Sequence, residues 1–332
     1  MMDKEQFISQ LLICQCRKNI SDDQTVTLSP TNSKDSLECS ACGRKYLIRN
    51  HILRFVEDAD NYAKNFGKQW LRFRETQIDR LAGHTLSTDR FNRDTGWSHS
   101  FMSSKWVLDA GCGAGRFTDV MAQKGANVVA VDLSLAVDAC QRNCGVVEQP
   151  ERGAVQVIQG NILDLPFKQG QFDFVHCAGV IQHTPDPTKA ILHLAAQLKP
   201  GGRLFFNFYE KSPITKLQII KYFLRRFTPN WSSSTLEVFS QVLCVVFFLP
   251  SWGMAKIPIL RQVNRLLPIC SVHPKGLPFS VQYQLTLLDT IDWYGPRYEY
   301  RQNHRDVAST LRSEGFVDVE SDPGRVWARR PD

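Results

Sequence analysis

The fold turns on one stretch: Val107-Leu108-Asp109-Ala110-Gly111-Cys112-Gly113-Ala114-Gly115-Arg116-Phe117. An apolar run ends on an acid, three glycines follow at alternate positions, and a segment of helix length begins beyond them. Glycine at such spacing lets the backbone turn tightly and approach a ligand with no Cβ in the way. A strand feeding a helix through that turn belongs to a parallel α/β sheet, whose ligands bind in the crevice at the carboxyl ends of the strands.

Outward from this stretch, short apolar runs alternate with amphipathic ones, which is βαβ patterning. The spacing predicts strands over 106–109, 128–131, 155–159, 172–177 and 203–208, rich in Val, Phe and Ile and largely unalternating. Runs of that kind suit strands covered on both faces. Helices are expected over 118–124, 134–144 and 188–198, and Pro200-Gly201-Gly202 is read as a turn before the fifth strand. After a departure over about 211–300, a helix over 305–314 and strands over 316–320 and 325–328 bring the chain back to the sheet.

Asp132 ends the second run, 21 residues after Gly111. A carboxylate there can take both hydroxyls of a ribose. That placement identifies a nucleoside, and the glycine loop narrows it. A dinucleotide loop wants Gly or Ala at its sixth position, for close approach to a pyrophosphate. Here the sixth position is Arg116, and Asp109 sets a negative charge before the glycines. A pyrophosphate cofactor is disfavoured, and a cationic amino-acid ligand suits the acid.

These residues resemble the class I S-adenosylmethionine-dependent methyltransferases, of the type 11 kind. Val107–Phe117 looks like their first motif, and Asp132 like their ribose-binding acid. Gln159-Gly160-Asn161-Ile162-Leu163-Asp164 looks like the third, with Asn161 where the family usually has an acid. Phe172-Asp173-Phe174-Val175 through His183-Thr184-Pro185 looks like the fourth, and Leu198-Lys199-Pro200-Gly201-Gly202 like the segment before strand five. The resemblance covers 105–210 in order. It implies a Rossmann-like α/β sheet with helices on both faces and S-adenosyl-L-methionine as cofactor. Its cofactor wall would be Asp109, Gly111, Gly113, Gly115, Asp132, Leu133, Asn161, Ile162 and Cys177.

Ahead of this unit, Cys14-Gln15-Cys16 and Cys39-Ser40-Ala41-Cys42-Gly43 resemble a zinc ribbon. The second pair has the usual knuckle spacing; the first is one residue short. Cys14, Cys16, Cys39 and Cys42 are either the ligands of one Zn²⁺, with altered geometry at the first pair, or the remnant of a ribbon that has lost its metal and kept its core. A metal here would be structural, since four thiolates leave no open position for catalysis. The organisation expected is therefore a ribbon-like domain over 1–57, a helical lead-in or lid over 58–100, and the methyltransferase domain over 101–332. Tyr62–Trp70, in the lead-in, is aromatic enough to close over the cofactor, and packs on the sheet otherwise.

For the chemistry, His183 is positioned after the fourth strand as a base or a loop-orienting residue. Leu288–Tyr298, with the acids Asp289 and Asp292, Trp293, Tyr294, Arg297 and Tyr298, is read as substrate wall or lid within the helical insertion. In the same insertion a helix is expected to start at Ser212-Pro213. Leu217, Ile220, Leu224 and Phe227 would line one face, with Lys216, Lys221, Arg225 and Arg226 at its margin. Such a helix packs as a cap or lies on an anionic membrane.

The 332 residues carry 43% hydrophobic and 22% charged side chains and a formal charge of +7, a globular composition with a mildly basic surface. No basic start leads into an apolar run at the N-terminus. Val242–Leu249 is short of a membrane span and is expected to end at Pro250. Ten cysteines without a secretory start are read as thiols in a reducing cytoplasm, with peripheral membrane contact left open. The expected activity is methyl transfer to a small molecule or a glycan- or lipid-linked intermediate. The alternatives are an RNA or protein methyltransferase that docks through the ribbon, and a non-catalytic cofactor-binding regulator. Lysines and arginines are not densely interleaved with aromatics, which disfavours nucleic acid.

Overall fold

A computed structural model describes residues 11–16, 26–56, 62, 64–145, 147, 149–213 and 218–332. Its centre is a parallel sheet of β5 (Trp106–Ala110), β6 (Asn127–Asp132), β7 (Val155–Gln159), β8 (Phe172–Ala178) and β9 (Leu198–Asn207). The spatial order is β7-β6-β5-β8-β9. It reverses between β5 and β8, beside the glycine turn. Two antiparallel strands, β11 (Arg325–Arg329) on β9 and then β10 (Val317–Asp322), close the edge.

Side chains alternate between two cores across this sheet, as pleating requires. On β8, Phe174 packs with Val107, Val128 and Met121, whereas Val175 packs with Leu108, Val129 and Ile191 on the other face. Both faces are covered, which is why these strands read as unbroken apolar runs. Pro200-Gly201-Gly202 is not a turn ahead of the fifth strand. It lies inside β9 as an irregularity in the pairing with β8, and Gly201 takes φ +73°.

The cysteine-bearing segment extends the same sheet. Strands β1 (Leu28–Pro30), β2 (Ser36–Cys39), β3 (Lys45–Arg49) and β4 (Ile52–Arg54) form an antiparallel meander. β4 then pairs in parallel with β7, through Leu53 opposite Ile158. Leu11, Leu12, Leu37 and Tyr46 share one core with Ile158 and Phe167. The expected boundary near residue 57 lies outside the described residues.

The insertion between β9 and the last helix is a helical cap. It comprises helices Ile219–Arg225, Ser233–Ala255 and Phe279–Tyr294, the second packed along the third. Two expectations change here. Pro250 does not end the apolar helix, which continues to Ala255; proline is exposed there, where loss of one N–H is tolerable. The first helix starts at Ile219, later than Ser212-Pro213, and Lys216 and Leu217 lie outside the described residues. Its faces are also inverted. Ile220 and Phe227 are exposed, while Lys221 and Arg225 are buried. The reason is polar: Arg225 donates to the carbonyls of Trp293 and Pro296 and pairs with Glu299 at 3.2 Å, bonds that a buried guanidinium requires.

Candidate active site

A cavity of about 360 Å³ opens at the carboxyl end of the sheet, between the glycine turn and the cap. Gly111, Gly113 and Gly115 all take positive φ, from +54° to +95°. At Gly111 a Cβ would come within 2.2 Å of Val180, so this turn has no room for a side chain. Gly113 donates its N–H to Asp132 at 3.0 Å, which ties the turn to the end of β6. Asp132 also accepts from the backbone N–H and hydroxyl of Ser134, at 2.8 and 2.7 Å. Burial pushes its carboxyl up, and these three donors oppose that.

Gly111, Gly113, Asp132, Leu133, Ile162 and His183 stand together on the cavity wall. Other residues expected beside them stand behind it. Asp109 is buried beneath the turn, accepting from Thr118 at 2.6 Å and bonded to His176 Nδ1 at 3.0 Å. Gly115 backs onto Cys140 and Cys144, and Cys177 is buried in β8. Asn161 turns its side-chain oxygen to the N–H of Leu163 at 3.0 Å, which shapes the loop carrying Ile162.

The lead-in helix Lys64–Arg72 closes one side of the cavity with Trp70, and Tyr62 stands beside it. Trp70 lies 3.5 Å from where a Gly113 Cβ would be. Gly67 lets this helix dock, because a Cβ there would sit 2.9 Å from the Leu135 backbone nitrogen. Side chains of residues 63–66 and 68 lie outside the described set.

The cap supplies the facing wall. Asp289, Asp292 and Trp293 project from helix Phe279–Tyr294 into the cavity, beside Tyr209 and Cys270. Gln69 donates to Asp292 at 2.6 Å. Burial raises the Asp292 carboxyl to about 8, reinforced by Asp289. Burial raises Asp289 to about 6, against the pull of Arg116 and Arg90. Those two arginines also line the cavity, Arg116 held by Ser87 at 3.0 Å and Arg90 by Asn207 at 2.8 Å. Burial, then repulsion from Arg90, brings Arg116 down to about 10.

His183 donates from Nδ1 to the Tyr298 carbonyl at 3.0 Å, and burial lowers it to about 4. Of the aromatic stretch expected to face substrate, Asp292 and Trp293 do so. Tyr294 is buried with its hydroxyl on the Pro268 carbonyl, Arg297 is exposed, and Tyr298 packs edge-on to Tyr62. Asp289, from the same stretch, lines the cavity as well. The sequence reading missed Arg90 and Tyr209, which carry no local signal.

Away from the cavity, the Sγ atoms of Cys14, Cys16, Cys39 and Cys42 lie within 4.8 Å of one another. Cys14–Cys42 and Cys16–Cys39 are each 3.7 Å apart. A tetrahedral metal with bonds of about 2.3 Å to sulfur has sulfur–sulfur edges of roughly 3.8 Å. The four sulfurs therefore fit one Zn²⁺, despite the short first knuckle. Without metal, burial pushes the Cys14 and Cys16 thiols up, whereas at Cys39 the N–H groups of Cys42 and Ala41 outweigh burial and bring it to about 7. A bound metal would hold the ligands as thiolates.

Residues 108–206 match the methyltransferase-domain family. With the strand order and the glycine turn, the chain carries a class I S-adenosylmethionine-dependent methyltransferase domain. It is 36% identical over 144 residues to a ubiquinone biosynthesis O-methyltransferase of Azotobacter vinelandii, covering 42% of this chain and 58% of that protein. A protein of the same name from Xanthomonas oryzae pv. oryzae is 40% identical over 111 residues, covering 32% and 44%. The chain thus spans about half the length of the curated relatives it matches. Among solved structures, magnesium protoporphyrin IX methyltransferase from Synechocystis PCC 6803 aligns with a TM-score of 0.42 and 18% identity, over 81% of this chain and 96% of that one.

Proposed function

We propose that this chain is an S-adenosylmethionine-dependent methyltransferase acting on a small acceptor, of the size and polarity of a free or a glycan- or lipid-linked biosynthetic intermediate. One observation carries the reading: a single cavity joins the glycine turn and Asp132 to a cap wall bearing buried carboxylates. Bound there, S-adenosyl-L-methionine supplies a sulfonium methyl for in-line displacement by an acceptor. The cradle without Cβ atoms at Gly111 and Gly113, the ribose-ready Asp132 and the apolar Leu133 and Ile162 fit that group. Asp109 acts from behind, holding the turn in place through Thr118 and His176.

The acceptor would lie between this cradle and the cap. A hydroxyl acceptor must lose its proton as the new carbon–oxygen bond forms. Asp292, raised to about 8, would take that proton and become the neutral acid. His183, lowered to about 4, is the weaker base and orients the Tyr298 segment. Arg90 and Arg116 offer fixed positive charge to an acidic or phenolic acceptor. The four cysteines would hold a structural Zn²⁺ that fastens the N-terminal meander to the sheet edge.

The test is calorimetric titration of S-adenosylmethionine, S-adenosylhomocysteine and NAD into the full chain, followed by a screen of phenolic, hydroxylated and lipid-linked acceptors. Saturable binding of the first two with none of NAD, and methyl transfer to one acceptor class, is the expected result. Binding without transfer to any acceptor would leave a cofactor-binding regulator, and no binding would remove the reading altogether.

A further inference from the structure

The cap turns a large apolar surface outward. Helix Ser233–Ala255 has 23 residues and is long and apolar enough to cross a membrane. Only one side of it is used by the fold: Leu236, Ser240, Cys244 and Phe248 are buried. On the other side Val238, Val242, Val245, Val246 and Leu249 are 56–70% exposed, at i, i+4, i+7, i+8 and i+11. The helix is apolar on both faces, and the outer one is left to solvent, the reverse of a water-facing helix. The helix before it repeats the pattern, with Ile219, Phe223 and Phe227 more than half exposed. A contiguous surface of this kind calls for a covering partner.

Charge says which partner. Residues 211–288 contain nine lysines and arginines and one acid, Glu237, so their excess exceeds the whole chain's +7. Glu237 is paired with Arg72 of the lead-in helix. Where the apolar face ends, at Trp252 and Lys256, a groove begins that is lined by Lys221, Lys256, Arg265 and Lys275 and, among the described residues, by no carboxylate. Lys256 caps the helix and stacks on Trp252 at 3.2 Å. The groove also reaches Trp293 and Cys270, which line the proposed active site from the other side.

We propose that this face docks in the plane of an anionic phospholipid bilayer, with the valine row in the acyl boundary and the basic groove on headgroup phosphates. Apolar burial and attraction to anionic lipid act together in such helices. A second copy of this chain would set the same cations against each other, which argues against self-association. A spanning arrangement is disfavoured because Ser251 is bonded to Ser271 and His273, both at 2.7 Å, and the helix would have to leave these partners. The docking does not rest on methyl-transfer chemistry, although it would bring the cap wall to the bilayer surface.

The experiment is co-sedimentation of the full chain with vesicles of phosphatidylcholine alone and of an equimolar phosphatidylcholine–phosphatidylglycerol mixture, with S-adenosylhomocysteine titration as the readout of the folded active site. Wild type should partition into the anionic vesicles only, more weakly as salt rises. Val242→Glu/Val245→Glu and Lys256→Glu/Lys275→Glu should each lower partitioning by roughly tenfold while leaving nucleoside binding unchanged. Should the valine variant fail to fold, Val246→Gln reads the same face. Partitioning that is absent, equal on neutral vesicles, or unaffected by the valine changes overturns the proposal. So does a wild-type dimer that the valine variant converts to monomer, which would assign the face to a second copy. Resistance to carbonate extraction would overturn the in-plane arrangement in favour of a span.

Discussion

The two walls of the cavity are made of different material. The sheet wall is backbone: a turn of three glycines, a carboxylate locked by three donors, and two apolar side chains. The cap wall is side chain: two carboxyls raised above the ordinary range and an indole, facing Arg90 and Arg116 from outside the cap. Asp132 is held by the strand end that carries it and by its neighbours. Asp292 is held by Gln69, which is 223 residues away in sequence. A wall built from local backbone keeps one ligand through many changes elsewhere. A wall built from distant side chains on a cap can be retuned one substitution at a time. On the proposed function, cofactor recognition and acceptor recognition are separated in the fold.

That contrast can be broken by mutation. The largest effect is expected from Asp292→Asn, which should lower kcat by roughly 10²- to 10⁴-fold while nucleoside affinity stays unchanged. In wild type the rate should climb with pH and level off above about 8, as Asp292 loses its proton, and the variant should lack that inflection. A kcat that barely changes, or an inflection that persists, would move the base elsewhere. Next comes Asp132→Ala, which should weaken S-adenosylhomocysteine by roughly 100-fold in calorimetry, since two charge-assisted hydrogen bonds to ribose are lost. Retained affinity would mean that the ribose does not sit on β6.

Stability sharpens the contrast further. Asp289 and Asp292 titrate above their ordinary value in the folded chain, so the stability they contribute is present in acid and lost as pH rises through about 6 and about 8. Asp289→Asn should therefore raise the Tm at alkaline pH and flatten its pH dependence, whereas a substitution in the sheet wall should only lower it. Removal of metal by a strong chelator should lower the Tm and release one Zn²⁺ per chain by atomic spectroscopy, with nucleoside affinity changed by less than about threefold. The smallest expected change is Gly67→Ala, which forces the lead-in helix away from Leu135 at a cost of about 1–3 kcal/mol. Denaturant unfolding would measure it.

How much of this was legible varies with distance along the chain. The first strand, the glycine turn and Asp132 lie within 27 residues, and period and residue type identify them. The cysteine cluster was legible as two pairs, but its union with the sheet through β4 and β7 was not, because parallel pairing leaves no local mark. Asp109 shows the limit of a motif: its place in the run suits a ligand, yet it stands behind the cavity wall, bonded to Thr118 and His176. The first cap helix was read with its faces reversed, because apolar periodicity points inward only when no polar partner waits there. Trp293, Pro296 and Glu299 wait there for Arg225.

The sequence by itself determined the class of sheet, the glycine turn, the acid that ends the second strand and the four thiols. Each depends on backbone conformation or ligand chemistry encoded within a short window. Only the tertiary structure decided which face of the cap is buried, that Asp289 and Asp292 share a cavity with Arg90 and Arg116, and that a valine row is left to solvent. Those outcomes depend on desolvation and on partners brought from far along the chain, and the free energy of burying a charge is set by what surrounds it.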